Sequence, residues 1–249
     1  MAVRKKESKE NYVSEVKKIF FHPTEFFNSL KDENEKDYRT PLMFYFYISI
    51  AAIVISLIAS IITEIISPQG ISITTFILSL LSGIIFQLLM ALVVPFIAAG
   101  IIHLGVLMFG GKQGFYNTFK PATYSEVITR VYGILMIIIS LIFTIMLVSS
   151  GTHFPTLSEK PTTEEVNTYM GAALSNPLIV ANLILSGIIM LISVIHSFIA
   201  TVIGVAKFQK LKKGKACWAV AIIPLIIMLL LFLMMGLVWV ALKNLPAAA

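Results

Sequence analysis

Polar side chains inside long apolar runs are the first candidates for chemistry, and four of them stand out: Gln87, His103, Asn182 and His196. Such groups can line a substrate path, relay protons or bind metal, or they can hydrogen-bond between helices. A metal site needs three or four converging ligands, and no Asp, Glu or Cys lies in the middle of a run beside the two histidines. We therefore expect interhelical hydrogen bonds, with no metal, no cofactor and no catalytic residue.

The fourth apolar run carries the richest polar stripe. At 100° per residue, four polar side chains fall close to one line: Asn182, Ser186, Ser193 and His196. Helices in lipid associate through small and polar residues, because lipid tails give apolar side chains no reason to pack together. The stripe is expected to face other helices, with the opposite side of the run toward lipid or the fifth run.

Residues 109–133 interrupt the apolar pattern with glycines, aromatic residues and charges. Gly110 or Gly111 is expected to end the preceding helix in a left-handed cap. No strand precedes these glycines, and no phosphate loop, HExxH, GxSxG or dinucleotide motif occurs, so nucleotide chemistry is not indicated. Glu126 and Arg130 lie four residues apart, share a helical face, and can neutralise each other at the membrane edge.

The same segment is the predicted partner-binding surface. Aromatic side chains of this kind are common where membrane meets water. The candidates are Gly110, Gly111, Phe115, Tyr116, Tyr124, Ser125, Glu126 and Arg130. The alternative is that these residues only shape a turn. In the partner-surface interpretation, Pro121 separates the connector from the third spanning helix.

Composition determines which elements must position these residues. Of the 249 residues, 57% are hydrophobic and only 13% are charged, and about 20 apolar residues suffice to cross a bilayer. The sequence predicts an all-α integral membrane bundle with five spans, at 41–66, 71–108, 127–149, 178–206 and 216–242. The second is too long for one straight crossing. It is either a long helix kinked at Pro95 or a hairpin of two short helices.

Lysine and arginine counts favour five spans and set their orientation. The first 40 residues hold nine, residues 207–215 hold five, and residues 150–177 hold only Lys160. Because positive residues accumulate on the cytoplasmic side, we expect a cytoplasmic N-terminus and an outer C-terminus in the cell membrane. The predicted parts are a cytoplasmic segment at 1–40, the membrane domain at 41–242 and an outer tail at 243–249.

Short amphipathic helices are predicted outside the spans. Two lie before the first span and are divided at Pro23; we expect them in the inner membrane interface, with packing on the chain's own cytoplasmic loops as the alternative. Thr162 and Glu165 match a capping box, which predicts a further helix in the outer loop.

The order of these features resembles the Yip family, five-span proteins that in eukaryotes interact with Ypt/Rab GTPases. The resemblance is carried by "HPTEFF" at 22–27, "FGGKQGFYNTFKPATYSEV" at 109–127 and "KGKA" at 213–216, and it covers nearly the whole chain. The chain lacks the long polar N-terminal region and the Asp-Leu-Tyr-Gly-Pro pattern of many eukaryotic members. It is therefore closest in kind to the bacterial and archaeal branch, and a Rab-type GTPase is expected as partner only in a eukaryotic source.

The resemblance implies a non-enzymatic membrane protein that acts as an adaptor or scaffold. Its expected partners are the lipid bilayer and other membrane proteins, including a second copy of the chain, and not nucleic acid. The alternative is a small-molecule or ion transporter or channel, with a polar path lined by Gln87, His103, Asn182 and His196.

Overall fold

A computed structural model of the chain describes residues 12–30, 37–66, 73–152 and 162–243, with the side chains of 238–243 left out. The described residues form eight helices: α1 (Tyr12–Phe21), α2 (Pro23–Ser29), α3 (Arg39–Ile66), α4 (Ile73–Met108), α5 (Tyr116–Ser149), α6 (Thr163–Ser175), α7 (Pro177–Phe208) and α8 (Lys213–Lys243). Residues 1–11 of the predicted cytoplasmic segment and 244–249 of the predicted outer tail lie outside this description.

Five of these helices are long and apolar enough to cross a membrane: α3, α4, α5, α7 and α8. Their helical backbones satisfy their own N–H and C=O groups, as a bilayer requires. Helix α4 continues through Pro95 as one element of 36 residues. The hairpin alternative is therefore excluded, and the prediction of five spans in an all-α fold is confirmed.

Helix α5 begins eleven residues before the predicted third span, at Tyr116 instead of 127. The prediction that Pro121 separates the connector from this helix is wrong, because Pro121 lies inside the helix. Proline removes one backbone hydrogen bond and crowds the preceding turn. Here Pro121 is buried and packs against Gly204 of α7, where even a single added carbon would overlap the Pro121 side chain.

The left-handed cap predicted at the paired glycines is confirmed. Gly110 has φ +84°, the amide of Gly111 donates to the carbonyl of Val106 over 2.9 Å, and the amide of Gly110 donates to that of Leu107 over 3.2 Å. This is the double hydrogen bond of a Schellman motif. Helix α7 ends in the same way, but with Lys210 at φ +55° in the position that glycine usually takes.

The short helices form where the sequence predicts them. Thr162 and Glu165 make both hydrogen bonds of the capping box at the start of α6. Helices α1 and α2 are divided at Pro23. The side chains of Phe26 and Phe27 in α2 are 1% and 0% exposed, so this helix packs against the protein itself, the alternative to a purely interfacial position.

The chain divides into two compact units. The first contains residues 1–42, 93–125 and 198–249, and the second contains 43–92 and 126–197. In the first unit, small apolar side chains of α4, α7 and α8 form one buried cluster around Val106, Val205 and Ala219. A second cluster joins Ala99 of α4 to Phe119 and Ala122 of α5.

The start of α3 gives a pH-dependent prediction. The carboxylate of Asp37 accepts hydrogen bonds from the amides of Arg39 (2.9 Å) and Thr40 (3.4 Å) and from the Thr40 hydroxyl. The hydrogen bond from the Thr40 hydroxyl is the largest of the effects that hold the pKa of Asp37 below its ordinary value. The two amides and the charge of Arg39 lower this pKa further, and partial burial opposes them. Asp37→Ala is expected to lower the free energy of unfolding by about 0.5–1 kcal/mol at pH 7.

The pKa of Asp37 is lower in the folded state than in the unfolded state. Its ionised form therefore stabilises the fold at pH values above the unfolded pKa, and this stabilisation is lost as pH falls through the folded pKa. The stability gap between wild type and Asp37→Ala should therefore be smaller at pH 3 than at pH 7, as measured by thermal unfolding in detergent. Asp37→Asn keeps a capping acceptor without the titration. A gap of equal size at both pH values would contradict this account.

Candidate functional site

The connector between α4 and α5, residues 109–115, is fastened to the end of α7 by one side chain. Gln209 is 2% exposed. Its Oε1 accepts from the amide of Gln113 (3.1 Å), and its Nε2 donates to the carbonyl of Gly114 (2.8 Å) and to the hydroxyl of Thr118 (2.9 Å). We call this set of bonds the Gln209 clamp. It joins segments more than 90 residues apart and holds the connector in one conformation.

The clamp extends to one of the predicted intramembrane histidines. Nδ1 of His103 lies 2.9 Å from the Thr118 hydroxyl oxygen. Since that oxygen already accepts from Gln209, its own proton can be donated to His103. The imidazole also packs edge-on against Phe115, with ring centroids 5.5 Å apart. His103 is therefore a hydrogen-bonded packing residue of the first unit.

Aromatic rings fill the space beneath the connector. Tyr38 lies 6.4 Å from Phe115, 5.0 Å from Tyr116 and 5.2 Å from Phe119 between ring centroids. Phe119 also contacts Phe96 of α4 at 4.7 Å. These contacts use the aromatic side chains as an internal core for the connector.

Several predicted partner-binding residues consequently face inward. Among the eight candidates, Gly111, Tyr116, Tyr124 and Ser125 are buried, Phe115, Glu126 and Arg130 are half-buried, and Gly110 is exposed. Tyr124 packs edge-on against Phe26 at 5.1 Å. The aromatic members thus contribute to packing, and the exposed residues of the connector are Gly110, Lys112, Gln113 and Gly114.

The N-terminal helix α2 is attached to the same unit by contacts of a half-buried lysine. The Lys207 ammonium group donates to the carbonyls of Phe27 (2.6 Å) and Leu30 (2.9 Å) at the end of the helix. A cation at a helix C-terminus is also favoured by the helix dipole. Phe27 packs against Phe208 at 6.4 Å. Sequence reasoning counted Lys207 only as a topology signal and missed this role.

Exposed lysines surround the clamp. Five exposed lysines lie in or next to two connectors: Lys112 in the α4–α5 connector, Lys210 and Lys212 in the α7–α8 connector (209–212), and Lys213 and Lys215 in the first turn of α8. We call these residues the basic patch. Clustered lysines create a positive potential that attracts acidic groups and falls off within about 10 Å at moderate salt.

In the second unit, Arg130 has a partner that the sequence did not reveal. Its guanidinium donates to the hydroxyl of Tyr45, with Nε at 2.8 Å and a second bond from Nη2. The guanidinium also lies 5.2 Å from the centre of the Tyr45 ring. Tyr45 is fully buried and belongs to α3, 85 residues away, so no local spacing rule could have found it.

The polar stripe of α7 makes its side-chain contacts with α5 in the second unit. Ser193 is buried, Asn182 lies 3.5 Å from the Ser140 hydroxyl and 3.4 Å from that of Ser186, and His196 lies 3.2 Å from the Tyr132 hydroxyl. On the opposite side, Leu185, Ile188 and Ile195 are 37%, 50% and 51% exposed.

Gln87 has a different environment from the other predicted intramembrane residues. It lines a cavity of about 820 Å³ between α3, α4 and α5 of the second unit. Asn182 borders a separate recess of about 50 Å³, and His196 lines neither. Within the described residues, no group of three His, Cys, Asp or Glu is arranged to hold a metal ion.

Comparison with known proteins supports the family resemblance that the order of the helices and motifs indicated. The comparison with curated proteins found no match, and the comparison with solved structures found none either. The chain matches the Yip1 domain over residues 17–235, which is most of its length and includes all five spanning helices up to the last turns of α8. The chain therefore belongs to the Yip1 domain family.

Proposed function

We propose that this chain is a non-enzymatic membrane-organising protein that binds other membrane proteins at the basic patch. The observation that supports this proposal is the combination of five exposed lysines with the Gln209 clamp beneath them. A surface that is already ordered loses little conformational entropy on binding. The Yip family is not known for enzymatic activity, which agrees with an adaptor role.

Charge determines the kind of partner that fits. A cluster of lysines recognises an acidic surface, speeds its encounter and weakens as salt rises. We propose as partner a membrane protein with an acidic cytoplasmic segment close to the bilayer. This requires the cytoplasmic orientation of the two connectors, which is part of the proposal and follows from the lysine distribution.

Site-specific crosslinking in intact cells tests the proposal. A photoreactive residue replaces Gln113, which is exposed at the edge of the patch, and a matched one replaces Thr163 at the start of α6. We expect a discrete crosslinked protein from position 113 and not from position 163. Joint replacement of Lys112, Lys212 and Lys213 by Glu should reduce its yield at least fivefold, and replacement by Arg should preserve it.

Orientation needs its own control, because reversed charges can invert spans. With Cys217 replaced, a cysteine at position 113 should resist an impermeant thiol reagent and one at position 163 should react, in wild type and in the Glu variant alike. An unchanged crosslink in a correctly oriented Glu variant would reject the basic patch as the binding surface.

A second candidate, transport of a small molecule or ion, is favoured by the cavity beside Gln87. His103, Asn182 and His196 each have hydrogen-bond partners outside this cavity. The geometry therefore supports a polar path lined by these three residues and Gln87 less well than it supports the adaptor. Reconstituted vesicles would decide: a transporter should lose flux in Gln87→Leu and in His196→Leu, whereas an adaptor shows no flux to lose.

A further inference from the structure

The cavity of the second unit has the dimensions of a ligand site. Its volume of about 820 Å³ falls in the range of about 300–1,000 Å³ typical of small-molecule pockets. Its wall comes from one stretch each of α3, α4 and α5, between Ile53 and Glu64, between Phe76 and Gln87, and between Gly133 and Thr144. All three stretches belong to spanning helices, so an occupant would lie at membrane depth.

The wall combines apolar side chains with hydroxyl groups. Apolar surface comes from residues such as Leu57, Phe76, Leu80 and Met136. Three of the lining hydroxyls donate to a carbonyl of their own helix: Ser60 to Ser56 (2.9 Å), Ser79 to Phe76 (2.8 Å) and Thr144 to Ser140 (2.9 Å). Their oxygen atoms therefore remain able to accept hydrogen bonds from an occupant.

Gln87 is the cavity residue whose side chain indicates most directly that a ligand is bound. Its side chain is exposed, and no described residue donates to or accepts from its amide. It lies about 20 Å along α4 from the start of that helix, at 1.5 Å per residue. A primary amide without partners is costly in hydrocarbon, and a polar residue in a span indicates a functional contact. A polar group held in the cavity would supply the missing hydrogen bonds.

Charge narrows the class of occupant. Glu64 is the one charged residue among the described residues of the wall, and none of these is Lys, Arg or His. A phosphate or carboxylate would find no cation and would approach an acidic side chain. A hydroxyl can instead donate to the carbonyl of the Gln87 amide and accept from its N–H groups.

From this geometry we propose that the cavity binds an amphipathic lipid with an uncharged, hydroxyl-bearing head, of the diacylglycerol class. The apolar chains contact the leucine, phenylalanine and methionine side chains of the wall. The head hydroxyl is held by Gln87 and the lining serines. This lipid site lies in the second unit and is independent of the basic patch, so either proposal can fail alone.

Two glycines allow the cavity to be filled without disturbing the fold. A Cβ atom added at Gly83 or at Gly133, both in the wall, would meet no atom within 4 Å. Because both glycines line the cavity, a leucine at either position is expected to reduce its volume, and leucine also improves helix propensity. Gly187 of α7 is a matched control, since a Cβ there also meets nothing within 4 Å and the residue is not in the cavity wall.

Native mass spectrometry of the full chain in detergent, titrated with dioleoylglycerol, tests the proposal. Wild type and Gly187→Leu should bind one molecule, and Gly83→Leu and Gly133→Leu should bind at least tenfold more weakly. Gln87→Leu, which loses no bond within the described protein, should fold normally and bind about tenfold more weakly. Dioleoyl phosphatidic acid has the same chains with an anionic head and should bind at least tenfold more weakly than dioleoylglycerol.

Other outcomes would overturn the proposal. Equal binding of both lipids would show contact with the chains alone, and equal loss in Gly187→Leu would show a nonspecific effect. Undiminished binding by the cavity-filling variants and Gln87→Leu would place the lipid elsewhere. A dimer in wild type that is lost in Gly83→Leu would make a second copy of the chain the occupant.

Discussion

Gly105→Ala is expected to lower the free energy of unfolding by about 3 kcal/mol, the upper end of the usual cost of overpacking. A Cβ atom at Gly105 would lie 3.0 Å from the carbonyl carbon of Ala219 and closer still to its oxygen, with the Ile222 side chain at 3.3 Å. The obstacle is the backbone of α8, which cannot rotate away as a flexible side chain can. The two helices would have to separate.

A neighbouring glycine supplies the matched control. Gly100 lies on the same helix, five residues earlier, and a Cβ atom there would meet nothing within 4 Å. Gly100→Ala should therefore be neutral or stabilising by up to about 1 kcal/mol, since alanine is the better helix former. The opposite signs of two identical substitutions isolate the effect of helix contact from that of helix propensity.

Cys217 provides the measurement without further engineering. It is the one cysteine of the chain, it is half-buried, and it lies on α8 two residues before Ala219. A thiol-reactive fluorophore that labels it on heating reports unfolding in detergent. Gly105→Ala should label at clearly lower temperature than wild type, and Gly100→Ala at the same or higher temperature. Equal curves for the two variants would mean that α4 and α8 do not pack this closely.

Most of the fold follows from one-dimensional patterns. Apolar runs long enough for the bilayer give the five spans, and the glycine and capping-box signals give the ends of α4 and α6. The polar stripe of α7 faces inward because its spacing matches the helical period. Each of these signals is local or periodic, so a single sequence is enough to recognise it.

What the sequence did not reveal depends on partners far along the chain. Gln209 looks like an ordinary polar residue after a span, and Tyr45 looks like one aromatic residue among several. The bonds of Gln209 to Thr118 and of Tyr45 to Arg130 join residues so far apart in the sequence that no spacing rule predicts them. Pro121 was read as a helix boundary because the contact with Gly204 that accommodates it is tertiary. Assignment of the chain to the bacterial and archaeal branch of its family stays a prediction.

The connector illustrates why composition alone misassigns a surface. Aromatic residues beside a span are typical both of binding surfaces and of internal packing. Tyr116 and Tyr124 are in fact buried, and the lysines that were counted only for topology form the exposed face. Burial, which decides between the two interpretations, is a property of the folded chain.

Gln209→Leu is expected to cost about 2–3 kcal/mol of unfolding free energy, because it removes three hydrogen bonds made by a side chain that is 2% exposed. Each bond contributes about 1 kcal/mol net, and a donor or acceptor left without a partner adds to the loss. The leucine has similar volume, so the effect comes from the lost bonds and not from a void. Gln113→Ala is the control: it removes an exposed side chain and keeps the backbone N–H that Gln209 binds.

Hydrogen exchange distinguishes loss of the clamp from general destabilisation. In wild type the amide of Gln113 donates to Gln209 and should exchange slowly for a residue of an exposed connector. In Gln209→Leu that amide should exchange much faster, while the amides of α7 far from the clamp should keep the same ranking of exchange rates as in wild type.

Crosslinking from the basic patch should weaken in parallel, since the lysines of the two connectors would no longer be held together. Fast exchange at Gln113 with crosslinking unchanged would show that partner binding does not need the rigid connector. Unchanged exchange would show that the connector is held by its aromatic core alone.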